Sequence, residues 1–81
     1  MEEFIKEIMN KRLLITAVLN GVTITTETTI EHVKGNYFFV GENSFSLELP
    51  DSCTVTRDND IWLVKFHNNC SLIVSELDKI R

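Results

Sequence analysis

The apolar positions change their period once along the chain. Met1, Phe4, Ile5, Ile8 and Met9 recur at the i, i+3, i+4, i+7 spacing of one helical face. Residues 2–11 are therefore predicted to form a short amphipathic helix. Glu2, Glu3 and Glu7 stand early in it and Lys11 and Arg12 late, an order that suits the helix dipole. So few turns are not stable alone, so the Phe4/Ile5/Ile8 stripe must dock on something.

From Leu13 onward the period is two. Leu13, Ile15, Ala17 and Leu19 alternate with Leu14, Thr16 and Val18, and Asn20-Gly21 follows. That dipeptide is the strongest short hairpin signal, because both positions tolerate positive φ. Val22 then opens a Thr-rich strand. The turn pairs Leu19 with Val22, Ala17 with Ile24 and Ile15 with Thr26. One dry face results, backed by a wet face of Thr16, Thr23, Thr25 and Glu27.

Lys34-Gly35-Asn36 is the next expected turn, and Gly41-Glu42-Asn43 closes a second hairpin. That hairpin places Tyr37 and Phe39 with Leu47 and Phe45. Counting back across Gly35 sets this aromatic group on the face opposite to Val22, Ile24 and Ile30. Two dry faces on opposite sides of one flat sheet do not make one core. A bend or bulge is therefore expected around Thr26–Thr29, folding the second hairpin over the first.

Pro50-Asp51-Ser52 separates the halves, and turns at Asp58-Asn59-Asp60 and Asn68-Asn69 divide the remainder. The strands expected in all are 13–19, 22–33, 37–40, 44–49, 53–57, 61–67 and 70–77. Ile61–Phe66 is apolar on both faces and reads as a central strand covered on each side. The fold expected is mainly β (α+β): the N-terminal helix, then a meander of six or seven antiparallel strands forming a small barrel or sandwich. Residues 1–81 make a single domain. A chain this short buries only about 60% of its unfolded surface, so its core is thin and a second subunit would help cover it.

Composition narrows the function classes. Twelve Asp and Glu against eight Lys and Arg leave a net charge of −4, scattered along the chain. That leaves no electrostatic footprint for nucleic acid and argues against it as a partner. No apolar stretch is long enough to span a membrane, and no signal-peptide core follows Glu2 and Glu3, so a cytoplasmic location is expected. An Ile-, Asn- and Lys-tinted composition points to a bacterial or phage genome.

Reactive residues are few. His67 and Cys70 flank an expected turn and could make a base–nucleophile pair. A hairpin brings such neighbours together without any chemistry, and a small free cysteine on a strand usually packs. Cys53, Cys70, His67 and His32 lack the paired spacing of a zinc site. A Cys53–Cys70 disulfide would join strands that are not neighbours in a simple meander. No catalytic residue, metal site or cofactor is assigned, and the chain is not expected to be an enzyme.

The contiguous run Tyr37-Phe38-Phe39-Val40 carries more information. If Tyr37 and Phe39 point inward, Phe38 and Val40 face the other side, where exposure would mark an interface. Tyr37, Phe38 and Val40 are thus the interface candidates. The expectation is a non-enzymatic interaction module acting on a protein partner or through homo-oligomers. A small regulator or inhibitor of the phage or mobile-element type would fit.

A helix, a strand, Leu19-Asn20-Gly21-Val22 and a long bent strand together resemble the opening of Sm-like RNA-binding proteins. The resemblance spans Phe4–Val33, about a third of the chain. It implies a ring of identical subunits on single-stranded RNA. The basic and base-stacking aromatic residues of such a site have no recognisable match here, and the later strands are more numerous and longer.

Overall fold

The computed structural model describes residues 1–35, 37–67 and 69–80, with the side chains of all but His67, Lys79 and Ile80. Asn36 and Asn68, both expected in turns, and the His67 side chain thus lie outside the described residues. Helix α1 (Glu2–Ile8) precedes strands β1 (Arg12–Leu19), β2 (Val22–Lys34), β3 (Phe38–Gly41), β4 (Ser46–Glu48), β5 (Thr54–Asp58), β6 (Ile61–His67) and β7 (Cys70–Glu76). A last short helix, α2, covers Leu77–Ile80 and takes in Leu77, which was expected to end the last strand. No helix among the described residues is long and apolar enough to cross a membrane.

The strands form one antiparallel sheet in the order β4-β3-β2-β1-β7-β6-β5. This is two meanders joined where the first strand meets the last: Leu13 pairs with Glu76 and Leu19 with Cys70. The sheet is not closed into a barrel. β4 and β5 stand at its two edges, linked covalently through Pro50-Asp51-Ser52 but not paired among the described residues.

The first hairpin has the register its turn dictates. Leu19 pairs with Val22, Ala17 with Ile24 and Ile15 with Thr26. Asn20 and Gly21 have φ of 50° and 87°, the doubly positive pair of a two-residue hairpin loop whose twist matches the strands.

The bend falls slightly later than the expected Thr26–Thr29. The register between β2 and β3 slips between Ile30 and His32. An inserted residue reverses which face each later side chain takes. Val33 and its partner Phe39 thereby join Ile30 on the inner face, and Leu47 follows opposite Phe39. This slip merges the two dry faces into one core. Ile30 and Phe39 are each only 1% exposed.

Three local details differ from expectation. The second hairpin pairs Phe39 with Leu47 and not with Phe45. The helix stops at Ile8 because Asn10 turns into the left-handed region (φ 59°) and its N–H donates to the Ile30 carbonyl. Lys11 and Arg12, released from the helix, form ion pairs instead, Lys11 with Glu76 and Arg12 with Glu27 and Glu42. Gly41, read as a turn residue, lies at the end of β3, and the turn's positive-φ positions are Asn43 and Ser44. Glycine is needed at 41 for space: a Cβ there would lie 2.8 Å from Thr28 Oγ1, 2.9 Å from the Thr29 carbonyl oxygen and 3.1 Å from Phe45 Cδ1.

Helix α1 lies over the concave side of the sheet and ties its halves together. The Phe4 ring meets Phe39 of β3 edge-on at 5.9 Å and Trp62 of β6 at 5.3 Å. Around this contact lie Ile8, Leu13, Leu49, Val64 and Val74, all buried.

Candidate interaction surface

On β3 the side chains split as the alternation requires. Phe39 points into the core, and Tyr37 packs half-buried against it. Phe38 and Val40 point the other way and are half-buried. Phe38 lies between Lys34 and Glu48 in register, with the Lys34 ammonium 6.0 Å from its ring centroid. Val40 sits between His32 and Ser46. The three sequence candidates therefore divide, with Tyr37 on the core side and Phe38 and Val40 on the outer side.

The most exposed large apolar side chains among the described residues lie elsewhere. Val22 is 57% and Ile24 50% exposed, at the far end of the first hairpin. Their face is the one that carries Leu13 and Ile15 into the core, so the dry face runs past the core instead of ending within it. Two half-buried neighbours, Ala17 and Leu19, continue the strip across the hairpin.

Beside these residues β2 has an open edge. Its partner β3 covers only Ile30–Lys34, and β1 covers the other side from Val22 to Thr29. In an antiparallel ladder, residues alternate between facing their partner with both backbone groups and turning both away. Leu19 and Val22 flank a two-residue turn and form a hydrogen-bonded pair, so Thr23, Thr25 and Glu27 turn their N–H and C=O groups outward. The next outward carbonyl, that of Thr29, accepts a hydrogen bond from the Glu42 N–H at 3.2 Å. From Thr28 back to Val22 the edge has no strand partner among the described residues.

The sequence held a signal for this edge. A strand of 22–33 cannot be covered along its length by a neighbour of 37–40.

The other sheet edges are blunted. β4 is three residues long, carries Glu48 and is soon followed by Pro50. β5 carries Arg57 and Asp58. Short length, charge and proline are the usual protection of exposed edges.

The reactive residues make no site among the described residues. Cys70 is in register with His67, and Cys53 beside β5 and Cys70 on β7 are free thiols on strands separated by β6. Burial pushes the Cys53 thiol above its ordinary pKa, against a backbone hydrogen bond that pulls it down. No group of three or more His, Cys, Asp or Glu among the described residues could hold a metal.

Beneath α1, a cavity of about 20 Å³ lies among Glu7, Lys11, Arg57, Asp60 and Glu76. That is room for a single water and not for a substrate. A wider hollow of about 490 Å³ between the Asn20-Gly21 turn and Asn69-Cys70 is open to solvent, with Lys65 the one basic side chain among the described residues of its lining.

Comparison with known protein families, with characterised proteins and with solved structures gives no match. The functional reading therefore rests on the surface itself.

Proposed function

We propose that this chain is a non-enzymatic protein-interaction module that works through its β surface. The observation that carries the reading is the exposure of Val22 and Ile24 beside an unpaired strand edge. Apolar side chains left in water next to free backbone donors and acceptors favour an added strand over a small-molecule ligand. Phe38 and Val40, half-buried on the outer side of β3, form a second part of the surface. The net charge of −4 favours a protein over a nucleic acid as partner. A small regulator or inhibitor, as phages and mobile elements encode, is the role this size and chemistry suit.

The test compares association of the wild-type chain with three variants of unchanged thermal midpoint. Crosslinking in the source cell followed by mass spectrometry identifies what the chain holds, itself or another protein. Ile24→Lys is expected to weaken an association made at the β2 edge and Phe38→Ser one made with another protein at β3, and Cys70→Ala to keep both. Association that survives both surface changes, or function lost in a folded Cys70→Ala protein, refutes the reading.

A further inference from the structure

The open edge of β2 is self-complementary, and we infer that a second copy of this chain pairs with it, edge to edge and antiparallel, about a two-fold axis at Thr25. The inference names the partner of the surface proposed above and rests on that reading.

The register follows from the backbone. The free edge runs from Val22 to Thr28, and its midpoint is Thr25. With the axis there, Thr25 opposes Thr25 of the other copy, and Thr23 opposes Glu27. These are the residues whose N–H and C=O groups point outward, so every free group along the edge gains a partner. A twist-compatible continuous sheet results, with strands of two molecules joined at β2.

Charge selects the same register. The chain is net −4, so two copies repel unless the contact avoids like charges. Glu27 is the one charged residue on the free edge, and it already lies 3.6 Å from Arg12. Pairing about Thr25 sets it against a threonine. A slip that centred the axis on Glu27 would set the two carboxylates face to face, which destabilises a cross-strand pair.

The apolar side chains gain as well. Ile24 opposes Thr26 of the other copy and lies diagonal to its Ile24, within reach of a long side chain. Val22 continues the strip on the same face, so four apolar side chains of two molecules become one continuous band, each shielded on its flank by the next. A single strand pair is a small interface, and such contacts form transient dimers rather than permanent ones. Dimerisation should therefore follow concentration.

Sedimentation equilibrium of the full chain over the micromolar to millimolar range is the primary measurement. A monomer–dimer equilibrium is expected. Thr25→Pro removes an outward N–H that β1 does not use, a position where proline is tolerated on an edge. It should weaken the dimer about tenfold or more, since the Thr25 pair loses both of its mutual bonds. A register probe covers the case in which that variant fails to fold.

In a Cys53→Ala/Cys70→Ala background, Thr25→Cys should crosslink under mild oxidation. Hydrogen-bonded antiparallel partners lie about 5.5 Å apart at Cα, within disulfide reach. Thr23→Cys should not crosslink, because its counterpart lies several residues along the strand. A chain monomeric throughout the range, equal crosslinking at 23 and 25, or an undiminished dimer in folded Thr25→Pro overturns the inference. A wild-type monomer that still holds another protein through Ile24 would end the dimer alone. Partner retention in both Ile24→Lys and Phe38→Ser would end the interaction reading.

Discussion

Gly41→Ala tests the way β2 passes from one neighbour to the next. A methyl group at 41 would stand 2.8 Å from Thr28 Oγ1, 2.9 Å from the Thr29 carbonyl oxygen and 3.1 Å from Phe45 Cδ1. Two of the three cannot yield freely. Thr28 is 1% exposed, and its hydroxyl has no hydrogen-bond partner among the described residues. The Thr29 carbonyl is held by the Glu42 N–H, and moving it breaks that bond. Overpacking of this kind costs typically 1–3 kcal/mol, and two rigid obstacles put this case near 2 kcal/mol or above. For a domain of this size each kcal/mol moves the thermal midpoint by roughly 4–8 °C, so a drop of about 8–16 °C is expected.

The assay is urea unfolding followed by tryptophan fluorescence, since Trp62 sits in the helix contact. Thr28→Ala removes the nearest obstacle and a buried, unpartnered hydroxyl. It should cost about 1 kcal/mol or less alone, because relief of the orphaned group offsets lost packing. The double variant should be more stable than the sum of the singles by about 0.5–1.5 kcal/mol. A Gly41→Ala loss under about 0.5 kcal/mol, or a strictly additive cycle, would refute the steric account.

Three further outcomes are expected. Phe4→Ala removes the ring that touches both Phe39 and Trp62 and should cost about 3–5 kcal/mol, seen as loss of the cooperative unfolding transition or a sharply lower urea midpoint. Ser44 holds φ at 64°, so Ser44→Gly should raise the midpoint by relieving up to about 1 kcal/mol of backbone strain; a fall in stability would show that the hydroxyl matters more. Burial raises the Cys53 thiol pKa, so the unfolded chain ionises first as pH rises. That contribution to stability is intact below the unfolded thiol pKa and declines as pH climbs toward the folded one. Stability should thus fall in the alkaline range, less steeply in Cys53→Ala, and equal slopes by urea titration would contradict the shift.

The parts of the fold that could be read from the chain are those set by neighbours in sequence. Asn20-Gly21 determines the first hairpin pair by pair, because a two-residue turn leaves one register. The need for a bulge in β2 was also legible, since two dry faces had to become one. Its position was not, because it depends on Ile30 engaging Asn10 and on the close approach of Gly41, contacts between distant segments. The pairing of β1 with β7 was hidden for the same reason. Alternation tells which face a strand buries and not which strand lies beside it.

The surface was legible in part. Phe38 and Val40 do turn away from Phe39, as the run of four apolar residues required. Val22 and Ile24 read as core because a dry face looks the same where it is covered and where it overruns its cover. The mismatch between a long strand and its short neighbour was the available sign. Gly41 misled through its residue type, since turns and tight packing both select glycine.

The adjacency of β1 and β7 has a consequence for how the protein is made. Until residues 70–76 have been synthesised, the strand following α1 has a neighbour on one side only, and its inner-face residues Ile15 and Ala17 lack their partners Val74 and Leu72. A nascent chain that has reached only residue 69 therefore holds a half-built sheet. Completing the sheet waits on the contact between residues 13–19 and 70–76, which carries a larger loop-closure cost than the sequential hairpins beside it.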